Sequence, residues 1–176
     1  MTRHDRPRTR RQLLLAATTA AAVLSAGCAD ANSAPATSEA SADRQAQVAE
    51  RGASVMPFDL DRTTHHFRKT DTGGIQTVVA DDPADTTQIG LIRQHVQHEA
   101  ESFRRGDFTD PSRIHGTEMP GLAALRNSAG KIAIDYETTA DGARITYTTP
   151  EDTLITALHA WFDAQLSDHG QHATPQ

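Results

Sequence analysis

The stretch TTHHFRKT-DTGG-IQTVVA, Thr63 to Ala80, decides how the chain is read. Thr63 to Thr70 and Ile75 to Ala80 are rich in Thr, Val and aromatic residues, as strands require. Asp71-Thr72-Gly73-Gly74 between them supplies residues that tolerate positive φ, so the unit reads as a β-hairpin. A second unit lies downstream: Lys131 to Thr138 and Ala143 to Thr149, joined through Ala140-Asp141-Gly142. Ile132, Ile134 and Tyr136 alternate onto one face of the first of these strands, and Ile145 and Tyr147 onto one face of its partner.

Each hairpin runs into a helix with the same start. Asp82-Pro83-Ala84-Asp85-Thr86 and Thr149-Pro150-Glu151-Asp152-Thr153 both read as cap, proline in the first turn, then acid. The first helix carries Ile89, Ile92, Val96, Ala100 and Phe103 on one stripe, and the second carries Ile155, Leu158, Phe162 and Leu166. The expectation is therefore an α+β domain of two ββα repeats: a four-stranded, mostly antiparallel sheet with both helices on one face. The domain spans about residues 55–170, followed by a disordered tail over 171–176. Gly106 to Gly130 belongs to neither repeat and is longer than ordinary connectors.

Upstream of the domain the chain changes character. Arg3, Arg6, Arg8, Arg10 and Arg11 form a cationic start, and Leu13 to Leu24 is a weakly apolar run too short to span a bilayer, which takes about 20 residues. Leu24-Ser25-Ala26-Gly27-Cys28 resembles the lipobox of bacterial lipoproteins, with its leucine one place early. That resemblance implies a signal peptide over residues 1–27 and a lipid on Cys28. It also implies export and anchoring to the outer face of the cytoplasmic membrane. Thr9-Arg10-Arg11-Gln12-Leu13-Leu14 resembles the twin-arginine export motif. Residues 28–54 are Ala, Ser, Asp, Thr and Gln with almost no large apolar side chain, and read as a flexible tether.

Charge and cysteine usage narrow the chemistry. The chain has 17 basic and 23 acidic residues; five arginines and Asp5 precede Cys28, leaving 12 and 22, a formal charge of −10. Nucleic acid needs a basic footprint and is not an expected partner, so the lipid is the membrane contact and an envelope protein the candidate macromolecular partner. Cys28 is the only cysteine. With it acylated, disulfides, thiol redox chemistry and cysteine zinc sites are excluded.

Eight histidines follow Cys28. Within the connector, His115, Glu118 and Met119 offer imidazole, carboxylate and thioether, a set suited to copper or to the side of a haem. His159, with Asp163 one turn on, could orient an imidazole for acid-base work, and His169 sits at the helix end beside Asp168 and His172. The metal candidates are thus His115, Met119, His159 and His169. His95 and His98, three apart with Glu99 following, can also present two imidazoles to one ion. His65 and His66 point to opposite faces of their strand. Trp161 is expected in the core. There is no nucleophile elbow, phosphate-cradling glycine loop or haem-attachment motif, so no catalytic residue is assigned.

A wider resemblance runs from Val55-Met56-Pro57-Phe58-Asp59-Leu60-Asp61 through Phe103-Arg104-Arg105-Gly106-Asp107-Phe108, His115-Gly116 and Met119-Pro120-Gly121-Leu122 to Trp161-Phe162-Asp163-Ala164-Gln165. Over these residues the domain resembles small secreted actinobacterial proteins sometimes labelled aspartate carbamoyltransferase. The phosphate motif of the true transferase, of the Ser-Thr-Arg-Thr-Arg type, does not occur here, so the resemblance implies a secreted domain without implying that activity. The reading that follows is a lipid-anchored extracytoplasmic binding or accessory module. The alternatives are a small exported hydrolase or transferase using a His–Asp pair, or an interaction-only envelope lipoprotein.

Overall fold

The computed structural model describes residues 33–176. The expected signal peptide, Cys28 and the start of the expected tether lie outside them. Among the described residues no helix is long and apolar enough to cross a membrane.

Both hairpins form. Strands β1 (Thr63–Thr70) and β2 (Gly73–Ala80) pair antiparallel, as do β3 (Ala133–Thr138) and β4 (Gly142–Thr148). Helix α2 (Thr86–Arg104) follows the first hairpin and α5 (Asp152–His169) the second. The cap of α2 is Asp85, which accepts from the Gln88 N–H at 3.1 Å, and not Asp82, whose carboxylate closes a local turn on the Ala84 N–H at 2.9 Å. The connector folds into two short helices, α3 (Thr109–His115) and α4 (Leu122–Arg126).

The sheet differs from expectation in one strand. It has five, in the order β3-β4-β2-β1-β5, because Ala173–Pro175 forms β5 and pairs parallel to β1. The last residues are therefore ordered: they satisfy an edge of β1 that would otherwise present unpaired backbone groups. The tether also departs from expectation. Ser33–Ala53 is helix α1. Its Ala, Gln, Glu and Arg are good helix formers. In place of an apolar stripe it docks by one fully buried side chain, Val48, and by polar contacts from Arg44 and Gln45 to the end of α5.

The repeat is exact in register. β1-β2 and β3-β4 superpose with residue numbers 69 apart: His65 opposes Val78 as Ile134 opposes Tyr147. The hairpins join through their second strands, where the pair Gly73–Thr148 is the counterpart of Val79–Gly142. A pseudo-twofold axis therefore passes between β2 and β4. In the helices the offset is 66, and it matches Gln88 with Leu154, Ile92 with Leu158, Val96 with Phe162, Glu99 with Gln165, and Phe103 with His169, all buried. One sheet face is covered: Phe67, Val78, Ala143, Ile145 and Tyr147 pack against Ile92, Val96, Phe103, Leu158, Trp161 and Phe162. At about 25 cal/mol per Å² of apolar burial this single core is the main stabilising element.

Candidate functional site

Polar residues interrupt that core where the two repeats meet. A cavity of about 50 Å³ lies between the sheet and helices α2, α3 and α5. Its sheet wall includes His65 and the cross-strand pair Gln76–Ile145; its helix walls include His95, Glu99, Trp161, Gln165 and His169, closed at one side by Asp110 and His115. His95 faces Trp161 in repeat numbering and Glu99 faces Gln165, so the cavity sits on the pseudo-twofold axis. Among the paired wall positions, those of His65, Gln76, His95, Glu99 and His169 are polar in at least one copy, while Val96 and Phe162 are apolar in both.

Each polar group arrives there by ordinary local structure. His65 is in phase with Thr63 and Phe67 on the buried face of β1. Glu99 lies on the stripe of Ile92, Val96 and Phe103, and Gln165 on that of Leu158 and Phe162. His115 is the last residue of α3, which ends because Gly116 takes φ +92.

The hydrogen-bond pattern divides the site in two. On one side a relay is fully satisfied. Arg44 Nε and Nη2 donate to the two Asp168 oxygens, each at 2.6 Å, and His115 Nδ1 lies 2.9 Å from Asp168 Oδ2. Arg44 also donates to the His115 carbonyl at 3.0 Å, so α1, α3 and α5 are pinned at one point. Burial pushes the Asp168 pKa up, but the hydrogen bonds from His115 and Arg44 outweigh it and hold the carboxyl below its ordinary range. With Nδ1 engaged by the carboxylate, the His115 Nε2 is the nitrogen left for a ligand.

On the other side partners are missing. His65 Nδ1, Trp161 Nε1 and Gln165 Oε1 are buried with no hydrogen-bond partner. His65 and His169 stack with ring centroids 4.7 Å apart, and His169 meets His115 edge-on at 5.0 Å. Burial lowers the His65 pKa to about 3, reinforced by His95 and His115, and puts that of His169 well below its usual value, reinforced by His65 and His115. His95 falls to about 4 by burial, although Asp110 opposes the shift. His65, His95 and His169 therefore stand as neutral imidazoles in the cavity wall. Glu99 moves the other way, up to about 8, through burial and the nearby Asp110 carboxyl.

Of the four expected metal candidates the fold brings two together, His115 and His169. Met119 is buried ahead of α4 and does not line this cavity, although it borders a separate outer hollow together with His115 and Glu118. His159 Nε2 donates to the Gly73 carbonyl at 2.7 Å and lies 3.1 Å from that of Thr70, so it fastens α5 to the first hairpin turn. Asp163 turns outward to Lys69, and the expected His159–Asp163 pair does not form. The His–Asp pair of this fold is His115–Asp168. Sequence reading missed Gln76, Asp110, Gln165 and Arg44 as site residues, and named Glu99 only beside His95 and His98. The cavity also falls far short of the roughly 300–1,000 Å³ of sites for large ligands, so a haem has no room in it.

No protein-family model, no curated protein and no solved structure matches this chain.

Proposed function

We propose that the protein is a lipid-anchored extracytoplasmic binding module whose interior cavity takes a small neutral polar molecule, or the polar end of a larger one. The carrying observation is the convergence of three buried, partnerless atoms, two on nitrogen and one on oxygen, around one cavity. Each such atom left unsatisfied costs about 1–3 kcal/mol, and a ligand with both donor and acceptor capacity relieves them together. About 50 Å³ accommodates only a few non-hydrogen atoms. An outer groove lined by Pro57, Gln94, His95, His98 and Asp110 shares two residues with the cavity wall and provides the approach.

The test is an NMR screen of the soluble domain with small amides, peroxides and alcohols, repeated on Trp161→Phe and Gln165→Leu. Trp161→Phe removes one donor and keeps the ring plane. Expected is a hit whose affinity falls at least tenfold in both variants. A screen without hits, or hits insensitive to both changes, refutes the reading. The anchoring half is tested by acyl labelling: Cys28→Ser must lose label and membrane association.

The Arg44–Asp168–His115 relay favours a second reading, a small hydrolase or transferase with His115 as general base. An oriented imidazole contributes about 10²–10⁴-fold to such a reaction. Ester or amide turnover abolished by His115→Ala and reduced by Asp168→Asn would select it over simple binding.

A further inference from the structure

We propose that His98, Glu99 and Asp110 form a binding site for a divalent transition-metal ion at the rim of the cavity. One ligand atom from each lies within 4.8 Å of the other two. Ligand atoms held about 2.0–2.2 Å from an ion can be no more than about 4.4 Å apart, so small side-chain rotations close the set. The three surround a hollow of about 170 Å³ completed by Ser102, Asp107 and Thr109.

The scaffold is rigid. His98 and Glu99 are consecutive on α2, one exposed and one buried, so they flank the hollow from its outer and inner sides. Asp110 is presented from the opposite side by the first turn of α3. Its approach is fixed by the Asp107 carboxylate, which accepts from the Thr109 N–H at 3.0 Å. Gly106, at φ +75, makes the reversal that brings α3 back beside α2.

Glu99 provides the independent sign that a cation belongs there. Its side chain is on the core stripe of α2 and the residue is only 8% exposed. Among the described residues no N–H donor or basic side chain pairs with its carboxyl; the group it faces is the Asp110 carboxyl. Two carboxyl groups meet at the edge of a core with an imidazole beside them, hydrogen-bonded to each other and with no basic side chain on the buried member. Buried acids are normally paired or coordinate metals. Asp110 has one competitor, Arg113, at 3.6 Å on the exposed side of α3. One imidazole and two carboxylates without sulfur suit zinc or manganese over magnesium and calcium, which prefer all-oxygen shells.

The site shares Glu99 and Asp110 with the cavity wall, so its test uses the metal ion alone. The lipid-free protein, stripped with chelator and titrated with Zn²⁺ by calorimetry at neutral pH, is expected to bind one equivalent with a Kd of about 10 μM or tighter. His98→Ala and Asp110→Asn should each weaken binding at least tenfold. His98 is exposed, so its variant retains the fold, verified by an unchanged urea midpoint. Absence of saturable binding would overturn the proposal: Glu99 and Asp110 then share a proton and need no cation. Stoichiometric binding that both variants leave intact would also overturn it, assigning the ion to other histidines. Trp161→Phe should leave zinc affinity unchanged, which separates failure here from failure of the cavity reading.

Discussion

Arg44→Ala tests whether the segment before the sheet is part of the fold. The side chain makes two hydrogen bonds of 2.6 Å to Asp168 and one of 3.0 Å to the His115 carbonyl. A hydrogen bond to a charged group is worth about 1.5–3 kcal/mol, while an exposed ion pair contributes about 0–1. Arg44 is 48% exposed and Asp168 7% on the side chain, so solvent screens one partner only. We place the loss between these limits, at about 1.5–2 kcal/mol, including the cost of leaving the Asp168 carboxylate with His115 alone. For a folded unit of this size each kcal/mol shifts Tm by about 3–5 °C, so Tm should fall by about 5–9 °C. Arg44→Lys retains the charge but not the fork and should recover less than half of that. The assay is calorimetry of residues 33–176, with limited proteolysis of α1 as a second readout. A Tm unchanged within error, together with unchanged protease sensitivity, would mean that α1 is a tether after all and that Asp168 does not depend on it.

Three further outcomes follow. His65 and His169 stay neutral in the fold to about pH 3 or far below their usual value, while in the unfolded chain they protonate near pH 6.5. The unfolded state therefore binds more protons in that window; His95, lowered to about 4, adds to the difference, and Glu99, raised to about 8, opposes it because the fold holds its proton there. Three imidazoles outweigh one carboxyl, so stability is lost as pH falls from about 6.5, by up to about 1.4 kcal/mol per unit for each net proton. The urea midpoint measured from pH 7 to 4.5 should drop accordingly, and His65→Phe should flatten the slope by about half; a pH-independent midpoint contradicts the buried-imidazole assignment. Gly121 has φ +77, and a Cβ there would stand 1.9 Å from the Ala157 carbonyl oxygen of α5. Gly121→Ala should thus cost at least about 2 kcal/mol in denaturant melts, whereas Gly116→Ala, strained but unobstructed, should cost about 1. Removing Ala173–Gln176 deletes β5 and the Gln176 N–H bond to the Phe67 carbonyl, and should lower stability by about 1–3 kcal/mol; no change would return the tail to disorder.

Periodicity carried the hairpins and the two long helices because their apolar residues recur at 2 and 3.6 and their turns contain glycine. Trp161, expected at the core or its edge from its residue type and not from the stripe, is fully buried. Periodicity failed at α1, whose single anchoring apolar residue, Val48, gives no stripe to detect. It failed at β5 because a three-residue edge strand has too few positions to alternate. The site was partly legible. His115 and His169 were named, but for a ligand set completed by Met119 and His159, which the fold uses for packing and for fastening a turn. The overlooked signal lay in phase: His65, Glu99 and Gln165 each occupy an inward position of a pattern otherwise apolar. A polar residue on a buried stripe has to meet a partner, a ligand or a proton.

The pseudo-twofold axis through the cavity bears on how such a site arises. Two identical ββα chains joined edge to edge through their second strands would place the same residues on both walls, and any substitution would appear twice. Carrying both copies on one chain frees each wall to change alone. Glu99 then stands across from Gln165, His95 across from Trp161, and Phe103 across from His169. Such asymmetry, with Trp161 and Gln165 on one helix answering His95 and Glu99 on the other, is closed to an assembly of two identical chains. It also means that the cavity belongs to neither half, so an excised hairpin–helix unit would carry half of its chemistry and none of its function.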